Sequence, residues 1–267
     1  MHATQLTEIK TQVHTLCVEV ATFIREQINK VQSSDIETKD MNSLVSYVDK
    51  TAEIKIVKRL SQLIPEAGYI TEEDTIVSET KDHMWIIDPL DGTTNFLYKI
   101  PHFSISIALS YKGDMVYGIV YDIMLDVAYT AIKGQGAYEN NNRIQVRNST
   151  DLQETIVATG FPYKRQEGVT EKMNMVRFCV ENCRGIRRLG SAALDLAYVA
   201  SGKLDAYYEN SLNIWDLAAG KLIVEEAGGI VTDYQGEEHA LNNGSILAAN
   251  PDIHRQFLGA IKTYLSK

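Results

Sequence analysis

The period of the apolar residues changes twice along this 267-residue chain, and that limits the folds open to it. Leu6, Ile9, Val13, Leu16, Val20, Phe23, Ile24 and Ile28 recur at three- and four-residue spacings, which predicts an amphipathic helix over residues 6–31. A polar stretch, QSSDIETKDMNS, separates it from a second helical pattern, DKTAEIKIVKRLSQLI, stopped by Pro65. Further on the period drops to two. Phe103, Ile105, Ile107, Leu109 and Tyr111 alternate with small or polar residues, as in a half-buried strand. KGD turns the chain, MVYGIVYDI and VAYTAIKG follow as strands, and ENNN closes a hairpin before RIQV. Residues 100–147 therefore read as an antiparallel meander.

The second half alternates strand and helix instead. ETIVATGFP, GIRRLG, DAYY, GGIVTDY and SILAAN read as strands. Helices are predicted over 171–183, over 191–201, from Asp216 to Ala227, and from Asn250-Pro251, where Asn caps and Pro fills the first turn. The expected fold is α/β (α+β), a sandwich of alternating helical and sheet layers. It has an antiparallel meander in its first half and an α/β second half. No linker-like or repeated segment divides it. Residues 1–267 are read as one unit, whose possible lobes, 1–147 and 148–267, share a layered core.

Charge narrows the partners. The formal net charge of −9 argues against a nucleic-acid binder, which would present a basic face. No apolar stretch reaches the length of a membrane span, and nothing from Met1 onward resembles a signal peptide, so the expectation is a cytoplasmic protein. Cys17, Cys179 and Cys183 make an odd count with no flanking histidines, which reads as free thiols in a reducing compartment.

The segment WIIDPLDGTTNF, from Trp85 to Phe96, carries the chemistry. If WIID is a strand, Pro89 ends its ladder pairing. Asp88 and Asp91 are then delivered beside Gly92, Thr93 and Thr94, which open a helical turn. Paired carboxylates repel each other and lose solvation on burial, and a divalent cation would offset both costs. Backbone N–H groups at the same helix start would face a phosphate held by such a cation. The plainer alternative is turn chemistry, since Asp-Pro and Asp-Gly are common in turns. Glu72 and Glu73 after GYI, Asp216 in NIWDLAAG and Asp49 in SLVSYVDK each also end an apolar run in a carboxylate. Solvated turns and helix caps are their ordinary readings. Spacing alone does not bring them together.

WIIDPLDGTTNF and WDLAAGKLIVEEAGG resemble the two signature motifs of the inositol monophosphatase family, Mg²⁺-dependent and lithium-sensitive phosphomonoesterases of the layered sugar-phosphatase fold. GYITEED, PHFSISIAL, RRLGSAALDLAYVASGKLDAYYE and EAGGIVTD fall in the family's order, so the resemblance spans nearly the whole chain. It implies two or three Mg²⁺ per active site and hydrolysis by a metal-activated water. Glu72, Asp88 and the carbonyl of Leu90 resemble ligands of a first metal, and Asp88, Asp91 and Asp216 ligands of a second. Glu72 also borders a third, and Glu73 is an outer contributor. Thr93, with Asp49, resembles the pair that orients the nucleophilic water, while Gly92, Thr93 and Thr94 would donate to phosphate.

For the alcohol half of the substrate, the resemblance points to Gly190, Ser191, Ala192 and Glu209, whose carboxylate suits a polyol. Lys39 resembles a lysine near the third metal, at a spacing to Asp49 about one residue short of some relatives. Arg187 and Arg188, with FPYKRQEG, read either as solvated surface or as contacts to a second phosphate. The expected substrate is myo-inositol 1-phosphate. The alternatives are the 2′-phosphate of NADP(H), fructose 1,6-bisphosphate or adenosine 3′,5′-bisphosphate. From another class, the chain could be a metal-dependent regulatory or binding protein. A homodimer is expected, and segment 66–84 is expected to be mobile without metal.

Overall fold

The computed structural model describes residues 3–32, 35–40, 43–161, 169–237 and 244–265. Lys39's side chain and the 162–168 part of FPYKRQEG lie outside the described residues. The elements alternate in five layers. Helices α1 (Ala3–Gln27) and α2 (Tyr47–Leu63) cover one face of a seven-stranded sheet. That sheet runs in the order β3 (Gly68–Thr71), β4 (His83–Asp91), β5 (Ser104–Tyr111), β6 (Asp114–Asp122), β7 (Val127–Ile132), β8 (Ala137–Glu139) and β9 (Asn142–Ile144). Only its β3–β4 pair is parallel, so the predicted meander is present from β5 to β9.

Helices α5 (Ala192–Ala200) and α6 (Ile214–Glu226) fill the middle layer. Beyond them lies a five-stranded sheet in the order β11 (Gly185–Arg187), β10 (Ile156–Thr159), β12 (Ala206–Glu209), β14 (Ile246–Ala249) and β13 (Ile230–Thr232). Helices α4 (Val169–Asn182) and α7 (Pro251–Tyr264) close the outer face. Side-chain alternation assigns the strands to their cores. Trp85 and Ile87 face α1 and α2, whereas Ile86 between them faces the middle helices. Likewise Ala206 and Tyr208 face α4 and α7, and Tyr207 faces inward.

The middle layer explains the small residues of α6. A Cβ on Gly118 of β6 would lie 3.0 Å from Ala219 Cα, and one on Gly220 would lie 2.5 Å from Leu196 Cδ1. Helix, sheet and neighbouring helix therefore meet closely only with alanine and glycine at these contacts. This brings the starts of α5 and α6 over the end of β4.

Three expectations are corrected here. Pro89 does not end its strand: β4 continues to Asp91 across a bulge between Asp88 and Asp91, with pairing resumed at Asp91–Ser104. Asp216 is not the cap of α6, because Asn213 is the N-cap and Asp216 lies in the first turn. Part of the polar stretch after α1 forms a hairpin, β1 (Ile36–Asp40) with β2 (Ser43–Ser46), which its composition did not announce.

Candidate active site

The site is assembled from element ends. At the end of β4, Asp88 Oδ1 accepts the Leu90 N–H at 2.9 Å, an Asx-type turn that Pro89 favours. The bulge then turns Asp91 toward the start of α5, where its Oδ2 accepts from Ser191 Oγ at 2.5 Å and from the Ala193 N–H at 2.8 Å. Asp216 Oδ2 accepts the Asn213 N–H at 2.6 Å, which closes the first turn of α6. Each of these carboxylates thus has one oxygen engaged by its own scaffold. Asp88, Asp91 and Asp216 each offer an oxygen to a group whose members lie within 4.8 Å of one another.

Three carboxylates this close, buried or half-buried, oppose ionisation. Burial, then the charges of Glu72, Asp91 and Asp216, push Asp88 well above the usual carboxylate range. Burial, then Asp91 and Glu72, does the same to Asp216. Asp91 is raised by burial against the opposing hydrogen bonds from Ser191 and α5. An all-oxygen donor set of this charge fits a hard divalent cation, which would replace the protons. Glu72 lies beside the triplet. Its own N–H donates to Ile87 O at 3.2 Å, which ties the loop after β3 to β4.

A second group lies next to it. Gly92 adopts the left-handed region at φ 95°, and helix α3 (Thr93–Leu97) begins immediately after it. Thr93 Oγ1 is 2.9 Å from Asp49 Oδ1 and 3.0 Å from the Leu90 carbonyl. Asp49 is held in turn by Ser46, whose N–H and hydroxyl both donate to Asp49 Oδ2, at 2.9 and 2.8 Å, in the capping box of α2. Capping and site geometry are therefore the same contacts. Thr94 is exposed on the first turn of α3.

On the other side of the aspartates a pocket is lined by Gly190, Ser191, Ala192 and Glu209, together with Arg188 and Asp195. Glu72, Asp91 and Asp216 lie in the same wall. Glu209 Oε2 accepts from Tyr207 Oη at 2.6 Å, and burial pushes its carboxyl up to about 7. Gly160 is required beneath it, since a Cβ there would fall 2.0 Å from the Glu209 carboxylate. Gly92 and Gly190 meet back to back, a Gly92 Cβ being 3.1 Å from Gly190 O. Asn95 fixes this junction by donating to the carbonyls of His102 and Leu189, at 2.7 and 2.8 Å.

Of the two arginines, only Arg188 lines the pocket. Arg187 is exposed and donates to its neighbour's carbonyl, Ile186 O. Glu53, which the sequence reading passed over, is fully buried in α2 and accepts the N–H groups of Glu73 and Thr75 and the Thr75 hydroxyl, at 2.8, 2.9 and 2.7 Å. It latches the loop that carries Glu72. Its sequence signal was its place one turn after Asp49 on the same helix. Asp195 was likewise hidden as an ordinary helix-interior acid, one turn after Ser191.

Comparison with known proteins bears on this geometry. The profile of the inositol monophosphatase family matches residues 5–266. "Nus factor SuhB" of Escherichia coli (strain K12) is 44% identical over 85% of this chain and 86% of that protein. "Inositol-1-monophosphatase" of Mesorhizobium japonicum is 41% identical over 91% of this chain and 92% of that protein. The crystal structure of extragenic suppressor protein suhB from Bartonella henselae superposes with a TM-score of 0.91 at 38% identity, covering 96% of this chain and 98% of that one.

Proposed function

The chain belongs to the inositol monophosphatase family, a family of phosphomonoesterases, and on that premise we propose that it hydrolyses a small polyol monophosphate, myo-inositol 1-phosphate first among them. The observation that carries this reading is the triplet Asp88, Asp91 and Asp216, flanked on one side by the Thr93–Asp49 pair and on the other by the pocket of Glu209. The triplet, with Glu72 and the Leu90 carbonyl beside it, would hold Mg²⁺. Bound there, Mg²⁺ would lower the pKa of a water and neutralise charge on phosphoryl and leaving oxygens.

The chain's own residues supply the rest. When the Thr93 hydroxyl donates to Asp49, its lone pairs are left to accept a hydrogen bond from the attacking water. Ser46 fixes Asp49, whose carboxyl is raised by burial against the hydrogen bonds of Ser46 and Thr93, so proton density passed through Thr93 has a receptive end point. The N–H groups of Gly92, Thr93 and Thr94 face the phosphate in this reading. Glu209, oriented by Tyr207, accepts from hydroxyls of the alcohol half.

The pocket's charge favours a polyol over a bisphosphate. Arg188 is the pocket's basic side chain among the described residues, and its charge acts on the carboxyls of Glu209, Asp91 and Asp195. A single guanidinium set among acidic side chains favours a second phosphate less than a basic cluster would. A metal-dependent regulatory or binding role is compatible with the same site but does not account for the Thr93–Asp49 pair beside the carboxylates. The test is Mg²⁺-dependent phosphate release by wild type and Asp91→Asn from inositol 1-phosphate, NADP⁺, fructose 1,6-bisphosphate and adenosine 3′,5′-bisphosphate. Fastest turnover of inositol 1-phosphate, lost in the variant, supports the proposal. A faster bisphosphate would replace the substrate, and no metal-dependent release from any ester would remove the reading.

A further inference from the structure

The geometry points to Asp195 as a second specificity-determining carboxyl, which pairs with Glu209 to hold neighbouring hydroxyls of the substrate's alcohol half. This rests on the polyol phosphatase reading above and extends it to a residue that reading does not need.

Asp195 lies four residues after Ser191, so it shares the helix face that presents Ser191 to Asp91. Its neighbours on α5, from Ala192 to Leu194 and from Leu196 to Ala197, are apolar and buried in the middle layer. Asp195 is itself only 2% exposed, yet it contributes to the pocket wall beside Glu209. Its Oδ1 has no hydrogen-bond partner among the described residues, and Arg188 acts on it as a neighbouring charge. A carboxyl in that position costs stability that a leucine or alanine would not, because no protein hydrogen bond offsets the desolvation of its Oδ1.

A ligand hydroxyl would repay it. Burial, followed by the charges of Glu209 and Asp91, holds the Asp195 carboxyl well above the ordinary range, against the pull of Arg188. That favours its protonated form, which can donate to a ligand hydroxyl. Glu209 has its proton-accepting side set by the Tyr207 hydroxyl and takes a hydrogen bond from the next hydroxyl. One donor and one acceptor side by side match the alternating polarity of a vicinal diol. An aryl phosphate presents no such pair.

The experiment measures kcat and KM of wild type, Asp195→Leu and Asp195→Asn on myo-inositol 1-phosphate and on p-nitrophenyl phosphate, with Mg²⁺. The leucine variant is expected to lower the ratio of kcat/KM values, inositol ester over aryl ester, by about ten- to a hundredfold, chiefly through KM. Asparagine keeps a donor and an acceptor, and should lose less than about tenfold of that ratio. Equal losses on both esters would assign Asp195 a structural role and overturn the inference, as would an unchanged ratio. If the leucine variant does not fold, as judged by thermal melting, Asp195→Ala is measured and decides by the same criterion. A wild type that cleaves the aryl ester but not inositol 1-phosphate would remove the polyol reading and this one with it. Cleavage of neither would remove the phosphatase reading itself.

Discussion

At the scale of single residues, the proposed mechanism divides its work between groups that would hold charge and groups that would direct a proton. Thr93 touches none of the carboxylates of the triplet and reaches Asp49 instead. Thr93→Val or Asp49→Asn should therefore lower kcat by about a hundredfold or more while leaving Mg²⁺ affinity within a few-fold, seen by steady-state kinetics beside calorimetric Mg²⁺ titration. Equal losses of metal affinity and turnover would instead place both residues in the metal shell. Glu209 makes a different prediction. Burial raises its carboxyl to about 7, and only the ionised form has both oxygens free to accept. KM for inositol 1-phosphate should fall as pH rises through about 7, and Glu209→Gln should flatten that dependence. The phosphate group titrates as well, so p-nitrophenyl phosphate, which has no hydroxyl for Glu209, provides the control profile. Identical KM profiles for the two esters in wild type would exclude Glu209 from recognition.

At the scale of elements, the latch between α2 and the loop after β3 is expected to set how readily the site can be loaded. Glu53 accepts three hydrogen bonds from Glu73 and Thr75, and glutamine in its place can accept with only one oxygen while its NH₂ opposes an N–H. Glu53→Gln should weaken Mg²⁺ activation by about ten- to a hundredfold, with kcat at saturating Mg²⁺ largely retained. A lowered kcat with unchanged Mg²⁺ dependence would show that the latch does not govern loading. The same latch narrows the expectation that segment 66–84 is mobile without metal. Glu73 and Thr75 are tied to Glu53, and beyond them residues 77–82 are exposed without such a tie to Glu53, Val77 being 100% exposed. Proteolysis sensitive to Mg²⁺ is accordingly expected at 76–82.

The elements also show what the sequence could and could not convey. Periodicity located the long helices and the meander, because their apolar residues face one core each. It could not foresee the continuation of β4 through Pro89, since a bulge there needs only its neighbours' pairing to resume at Asp91. The polar hairpin of β1 and β2 carries no apolar alternation to read. The two metal-facing motifs were legible as motifs, but Glu53, Asn95, Gly160 and Asp195 were not. Each acts through a partner distant in sequence: Glu53 with Thr75, Asn95 with Leu189, Gly160 with Glu209, Asp195 beside Glu209.

At the scale of the whole molecule, the acids that close the site also oppose the fold that gathers them. Asp88, Asp91, Asp195 and Asp216 are all raised in the folded chain, and Glu209 reaches about 7. A carboxyl raised on folding binds its proton in the native state over a pH range where the unfolded chain has already lost it. Native proton binding then exceeds unfolded binding, and stability falls as pH rises from the unfolded pKa, about 4, to the folded one, after which it is level. The metal-free protein should thus melt at a lower temperature at about pH 7.5 than at about pH 5.5. A divalent cation displaces the protons of the triplet, so its stabilisation should run the other way and be larger at the higher pH. With Mg²⁺ at about a hundred times Kd, roughly 2.7 kcal/mol per site is expected, or about 5–10 °C in Tm for a chain of this length. Thermal melts in chelator and in Mg²⁺ at the two pH values decide the matter. A Mg²⁺ shift that is equal at both, or larger in acid, would mean that the cation does not replace protons on Asp88, Asp91 and Asp216. The energy that folding spends on gathering these aspartates would then have to be recovered from some other ligand.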